Sequence, residues 1–445
     1  MAGSLPSVQQ RRDAGRAARA TYPRAGLAAL TTTGREPMAV LRRQNEGRVP
    51  ELIPVRVQRM SHSPLTFYRG TAAIMAGDLA RDANSGISVA SCGDAHLSNF
   101  GFYASAERNL LFDLNDFDEA AWAPWEWDVK RLVTSVVVAG QATSRDDAVV
   151  CRTARACVLS YCEAVGAALT LSPLSRYFAH FSAQASAATL DDRSRAVLRA
   201  AVKDARRRTG ERAARRLTTE STDGTRRFVE EPPTLVRIDA EQQAVLGSVM
   251  SDYLASVSVD IRLLMQHYAI SDAARRVVGV GSVGTRCSLV LFQDGDRHAL
   301  LLQTKQAVPS VLIAYGHAAQ PQGVTEHVER FGDGGRVVAL QRILQAFSDP
   351  FLGHLSTAGV DLYVRQFHDM KGSIDVETLD DIGFMTYARA CGVVLARAHS
   401  QSPNAADIAG YVGSGRRIAE SLVTWAYAYA DLSRRDYEQF IAAQS

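Results

Sequence analysis

The chain has 445 residues, 47% of them apolar and 22% charged, with a formal net charge of only +3. That length exceeds what one small core serves and implies two lobes. The composition is that of an ordinary globular protein, and the near-balanced charge does not call for nucleic acid as a partner. The longest apolar run, near Val133–Ala139, falls far short of the roughly 20 residues of a membrane span. The N-terminus lacks the apolar stretch of a secretory signal. The six cysteines form no C-x-x-C pair and read as reduced thiols of a cytoplasmic protein.

Residues 8–46 read as helical pieces broken by Pro23 and Pro37, with Arg11, Arg12, Arg16 and Arg19 interleaved with helix-forming alanines. Pro50, Pro54 and Pro64 predict an extended, docked segment over 50–70, and a helix follows over Thr71–Asp82. Ile87–Cys92 and Leu110–Asp116 are expected strands flanking a Gly-Asp-x-His loop. Over Asp128–Ala142, Val129, Leu132, Val133, Val136 and Val137 recur at helical spacing. Residues 145–215 are expected to be mostly helical, with a basic, solvated run over Lys203–Arg216. Asp223-Gly224 marks a turn, and 240–268 reads as another helix. The texture then turns to β: Val277–Val283, Cys287–Gln293 and His298–Lys305, the last two joined by an Asp294-Gly295-Asp296 turn. A helix covers much of 324–346, Asp361–Phe367 is a strand, and 380–399 and the C-terminal residues are helical.

Two acidic segments carry chemistry. In the first, Gly93-Asp94-Ala95-His96-Leu97-Ser98-Asn99, an Asp precedes an Asn by five positions; the second runs Leu110–Asp116 into Phe117-Asp118. This is the layout of a kinase catalytic loop and its metal-binding strand. Asp94 would accept the proton of, or orient, the attacking hydroxyl, while Asn99 and Asp116, with Asp118 assisting, would hold Mg2+. His96 is read as loop packing first and substrate contact second, and Asp128, opening the following helix, as a carboxylate that caps backbone amides or orients the catalytic loop. Arg69 is read equally as a phosphate contact and as a structural ion pair. A binuclear phosphoesterase is excluded, because its further Gly-Asp-x-x-Asp and Gly-Asn-His segments are missing. A calcium loop starting at Asp113 is excluded because its twelfth position is Pro124.

Gly279-Val280-Gly281-Ser282-Val283-Gly284 is followed by strand-forming residues, not by the helix of a dinucleotide fold. A hairpin tip of this kind brings the amides of Gly279, Gly281, Ser282 and Gly284 onto nucleotide phosphates, with no Cβ in the way. The next strand ends in Lys305, placed to contact the α- and β-phosphates. Asp361–Phe367 then serves as a hinge strand, with Gln366 beside the adenine. A standard kinase runs glycine loop, lysine, hinge, helix, catalytic loop, metal Asp. Here the catalytic loop comes first, and the helix ending at His399 stands where that loop would normally follow. Circular permutation produces this order.

The chain resembles an uncharacterised bacterial domain-of-unknown-function family counted with the protein-kinase-like superfamily. The resemblance rests on Arg48–Arg56, Phe67-Tyr68-Arg69-Gly70, Gly93–Gly101, Asn115–Glu119, Trp125–Leu132, Gly279–Arg286, Tyr363–Gln366 and Asp369-Met370-Lys371-Gly372, and spans about 15–440. The Asp94, Asn99 and Asp116 set is also similar to that of aminoglycoside and choline phosphotransferases, with Cys92 where their first His stands. The resemblance implies an α+β, two-lobed protein-kinase-like fold in circularly permuted order with a helix-rich larger lobe. Its parts would be an N-terminal extension over 1–90, a large helical lobe over 91–270, a small β-rich lobe over 271–375 and completing helices over 376–445. It also implies an acidic residue near Ala339. None is there, which leaves Glu326 or Glu329 as the expected partner of Lys305. The expected function is ATP- and Mg2+-dependent phosphoryl transfer to a hydroxyl of a small-molecule acceptor, away from membranes. The alternatives are a nucleotide-binding pseudokinase and a nucleotidyl transferase. Acceptor and oligomeric state are not legible.

Overall fold

The computed structural model describes residues 5–182, 192–222, 224–277, 279–367 and 370–444, which leaves Asp223, Val278 and Asp369 of the readings above outside it. The molecule is a mixed α+β protein. The six cysteines are unpaired. Among the described residues, no helix is long and apolar enough to cross a membrane.

Residues 50–70 are helical rather than extended. Pro50, Pro54 and Pro64 sit in the first turns of Pro50–Leu52, Ile53–Ser61 and Pro64–Arg69. There the missing N–H has no helical partner to lose and the fixed φ suits the helix, so these prolines start helices instead of excluding them.

Strand β1 (Ser88–Ser91) pairs with β4 (Ala121–Pro124), and β2 (Phe100–Ala104) with β3 (Leu110–Leu114). Short strands β5 (Thr218–Glu220) and β6 (Arg226–Phe228) pair with each other. A six-stranded antiparallel sheet uses β7 (Leu235–Arg237), β8 (Ala269–Arg276), β9 (Cys287–Gln293), β10 (Ala299–Ala307), β11 (Gly353–Thr357) and β12 (Val360–Gln366), in the order β11-β12-β10-β9-β8-β7. The two-residue β13 (Gly372–Ser373) joins the edge of β2.

The strand expected at Val277–Val283 lies earlier, at Ala269–Arg276. Gly279 and Gly284 take φ of +68° and +92°, which breaks the extended run. Val277 and Val283 instead pack against Leu52 of the N-terminal helices.

One face of the sheet buries Val290, Phe292, Leu300 and Leu302 against helix Ala240–Ser256. The other buries Leu289, Leu291 and Leu301 with Leu217 and Phe367. The helical body is organised around Trp125–Ala142, whose residues are buried almost without interruption. Asp147–Ala168, Asp381–His399 and Arg416–Ala442 pack around it in one continuous core. Helix Gln322–Leu344 joins the two parts and bends at Gly332, where a Cβ would meet the Asp361 carboxylate at 2.3 Å.

Candidate active site

The loop after β1 is fixed from below by Asp128 in the first turn of helix Trp125–Ala142. Its Oδ2 accepts the Cys92 amide at 2.8 Å and its Oδ1 the Gly93 amide at 3.0 Å. Gly93 has φ +81°, and a Cβ there would lie 2.1 Å from the Glu119 carbonyl oxygen, so glycine is required twice over. His399, at the end of helix Asp381–His399, places Nε2 3.2 Å from Asp128 Oδ2, while its Nδ1 meets the Tyr161 hydroxyl at 2.8 Å. The Tyr387 hydroxyl donates to the Leu97 carbonyl at 2.7 Å, and the Ala90 amide to Ser402 Oγ at 2.9 Å. Residues 90–97 therefore lie at the end of a helix some 300 positions later.

Asp94 Oδ1 accepts from Arg131 Nε at 2.8 Å and is ion-paired with Arg131 Nη2 at 2.8 Å. Arg131 also stacks over the Tyr68 ring and donates to the Tyr68 carbonyl. Burial pushes the Asp94 carboxyl above the usual carboxylate range, and Arg131 only partly offsets it. Its Oδ2 faces His96 Nε2 at 3.6 Å. Burial, then Arg69 and Arg131, hold His96 well below its ordinary range, so this ring is neutral. Asn99 Nδ2 donates to the Asp94 carbonyl at 2.9 Å, leaving the amide oxygen as its free end. Sequence reasoning missed Arg131, although it stands one helical turn beyond Asp128 on a helix already recognised.

Lys305, near the end of β10, is 3% exposed. Its Nζ meets Asp118 Oδ2 and lies 3.7 Å from Asp116 Oδ1; the Tyr363 hydroxyl donates to Asp118 Oδ1. Burial works against both charges, but each outweighs it for the other. Asp116 and Asp118 hold the Lys305 ammonium well above its ordinary range, and Lys305 and Tyr363 hold Asp118 below its own. The expected partners Glu326 and Glu329 are exposed, on the part of helix Gln322–Leu344 that precedes the bend at Gly332. That helix instead contributes a cation: Arg336 donates to the carbonyls of Asp118 at 3.0 Å, Val308 at 2.8 Å, and Ala120, and is braced by Asp333. It hooks the acidic segment onto the sheet.

Both carboxylate oxygens of Asp118 are thus engaged, whereas Asp116 Oδ1 is buried and accepts no hydrogen bond from the described residues. The donors left for a cation are Asp116 and the Asn99 oxygen. Two oxygen ligands fit magnesium, which retains several waters when bound to protein. Among the described residues, no three His, Cys, Asp or Glu side chains surround one metal position.

A cavity of about 310 Å³ brings Asp94, Asn99, Asp116 and Asp118 to one wall and Gly279, Gly281 and Ser282 to another. Gly284 lies behind it, where a Cβ would meet the Arg48 side chain at 3.0 Å. The glycine turn is held at both ends: the Val49 amide donates to the Gly284 carbonyl at 2.8 Å, Arg59 to the Gly279 carbonyl at 2.6 Å, and Arg48 to the Val283 carbonyl. Gln366 is not in this cavity. It lines a second one of about 230 Å³, with Asn115, Arg365 and Lys371. Arg69 lines the first cavity in the field of Asp94 and Asp116, and its Nε has no hydrogen-bond partner among the described residues.

The chain belongs to the bacterial family described as "Uncharacterized protein conserved in bacteria (DUF2252)", whose model matches residues 48–443. No curated protein and no solved structure matches it.

Proposed function

We propose that the protein is a magnesium-dependent phosphotransferase that moves the terminal phosphoryl group of ATP to a hydroxyl of a small molecule. One observation carries the reading. A carboxylate poised beside a cavity, two oxygen ligands, a glycine turn and the Lys305–Asp116/Asp118 cluster converge from segments nearly 200 residues apart. Phosphoryl transfer requires positioning and charge stabilisation more than covalent chemistry, and these are the groups it uses.

In this reading the fold is kinase-like and circularly permuted. Glycine turn, lysine strand β10, helix Gln322–Leu344, strand β12 and helix Asp381–His399 follow in kinase order. The contacts of His399 and Ser402 with Asp128 and Ala90 close the sequence by leading that last helix into the Asp94 loop. The phosphates belong in the first cavity, against the glycine turn, and the base in the second, against Gln366.

Asp94 Oδ2 receives or orients the acceptor proton, while Arg131 holds Oδ1 and fixes the carboxylate plane. The raised proton affinity of Asp94 brings it closer to working pH as a base. Lys305, now bound to Asp118, turns to the nucleotide phosphates. Asn99 and Asp116 would hold magnesium, which when bound would supply charge neutralisation to the transferring group.

The test is ADP formation with a small-molecule extract, together with mass spectrometry of the modified acceptor. Wild type is expected to transfer a phosphate, and Asp94→Asn to lose at least about 100-fold in rate. An acceptor carrying AMP would replace the reading with nucleotidyl transfer. The engagement of both Asp118 oxygens favours a second reading, a nucleotide-binding module without turnover. Binding of MgATP with no product from any extract would select it.

A further inference from the structure

The wall of the first cavity formed by residues 43–70 has a charge balance that the phosphotransfer reading does not use. Arg43, Arg48 and Arg69 line it. Behind them Arg56 is 1% exposed, yet it bonds only neutral oxygens: Asn45 Oδ1 at 2.7 Å, Gln44 Oε1 at 3.1 Å and the Gly70 carbonyl at 3.4 Å. Nε of Arg48, of Arg56 and of Arg69 is buried with no hydrogen-bond partner among the described residues; the field of Asp94 and Asp116 reaches Arg69 and that of Glu119 reaches Arg48, but burial outweighs both. Tyr315 lines the same cavity as Arg43, Arg48 and Arg69.

Most carboxylates facing the same cavity are engaged elsewhere. Asp94 is held by Arg131, Asp118 pairs with Lys305, Asp116 lies 3.7 Å from the same ammonium, and Glu119 Oε2 accepts the Val311 amide. Desolvated guanidinium charge that is only partly balanced is costly, and a ligand that brings an anion lowers the cost.

We infer that this wall is an oxyanion subsite, and that the acceptor carries a phosphate of its own. A guanidinium fork matches phosphate geometry in a way that a point charge does not. Three guanidiniums on one wall disfavour an organic cation placed directly against it. Only the word acceptor rests on the phosphotransfer reading; the anion subsite stands on the arginines.

The experiment is a calorimetric titration of the full chain with inorganic phosphate, with acetate and with choline. Each is run alone and after saturation with magnesium and a non-hydrolysable ATP analogue. Phosphate is expected to bind in both states, more tightly than acetate, with choline silent. Arg69→Met is expected to weaken phosphate at least about tenfold. Arg43→Met, at an exposed position, gives a smaller loss and serves if Arg69→Met does not fold. If the analogue displaces phosphate, the arginines hold the nucleotide's own phosphates: the inference falls and phosphotransfer survives. If the analogue does not bind but phosphate still does, and both variants weaken it, the subsite stands and phosphotransfer falls. Phosphate affinity unchanged in both variants, or choline binding in place of phosphate, overturns the inference.

Discussion

Asp128→Ala removes the acceptor for two buried main-chain amides, those of Cys92 and Gly93, and the partner of His399 Nε2. Asp128 is 1% exposed, so water does not replace it without opening the loop. Each buried N–H left unsatisfied costs about 1–3 kcal/mol, so the two together cost about 4 kcal/mol. Unfolding entropy of about 2.1 cal/mol/K per residue over 445 residues is about 0.9 kcal/mol/K, which turns that loss into a Tm fall of about 4 °C. His399→Ala leaves both amide bonds in place and is expected to lose less than half as much. The assay is scanning calorimetry of wild type and both variants at one pH. A fall below about 1 °C for Asp128→Ala, or an equal fall for His399→Ala, would refute the claim that this carboxylate holds the Asp94 loop.

Other outcomes follow from the same geometry. Arg336→Met frees three main-chain carbonyls around Asp118 and is expected to cost about 3–5 kcal/mol by urea denaturation; a loss under about 1 kcal/mol would show that the acidic segment does not depend on this hook. Gly93→Ala combines a left-handed φ with a carbonyl 2.1 Å from the new Cβ, whereas Gly86→Ala has φ +73° and open space. The first is expected to cost more than about 3 kcal/mol and the second about 1, and equal costs would contradict the close approach at Glu119. Burial outweighs Asp82 and Glu126 and lowers Lys130 to about 8 from an unfolded value of 10.5. The unfolded chain therefore binds more protons across that window, and stability rises as pH climbs from about 8 to 9.5, by about 2 kcal/mol. Lys130→Met is expected to abolish this rise in chemical denaturation; an unchanged slope would assign it to other groups.

The sequence is most legible where chemistry is local. The loop 93–99 and the segment ending at Asp118 declare themselves by spacing, and the glycine turn by the strand residues that follow it. Residues 50–70 misled because proline excludes a helix interior but favours its first turn, and only the neighbouring chain decides between the two. β2 passed unrecognised because Gly101 interrupts its apolar pattern; its partners are β3 and β13, and the latter comes from residue 372. The partner of Lys305 is not in the helix that follows it but is Asp118, 187 residues earlier in the chain. No periodicity encodes that separation, and the cue at hand was the second Asp of Asp116-Phe117-Asp118. Arg131 was visible in the sequence but not assigned a role, since its link to Asp94 depends on how the loop folds over helix Trp125–Ala142.

The most direct test of the central claim is a calorimetric titration of MgATP into wild type, Lys305→Met and Asp116→Ala. The account predicts saturable binding in wild type that requires magnesium. That binding is lost in Lys305→Met, and its magnesium requirement is lost in Asp116→Ala. No binding to wild type, or binding that neither substitution alters, would contradict it.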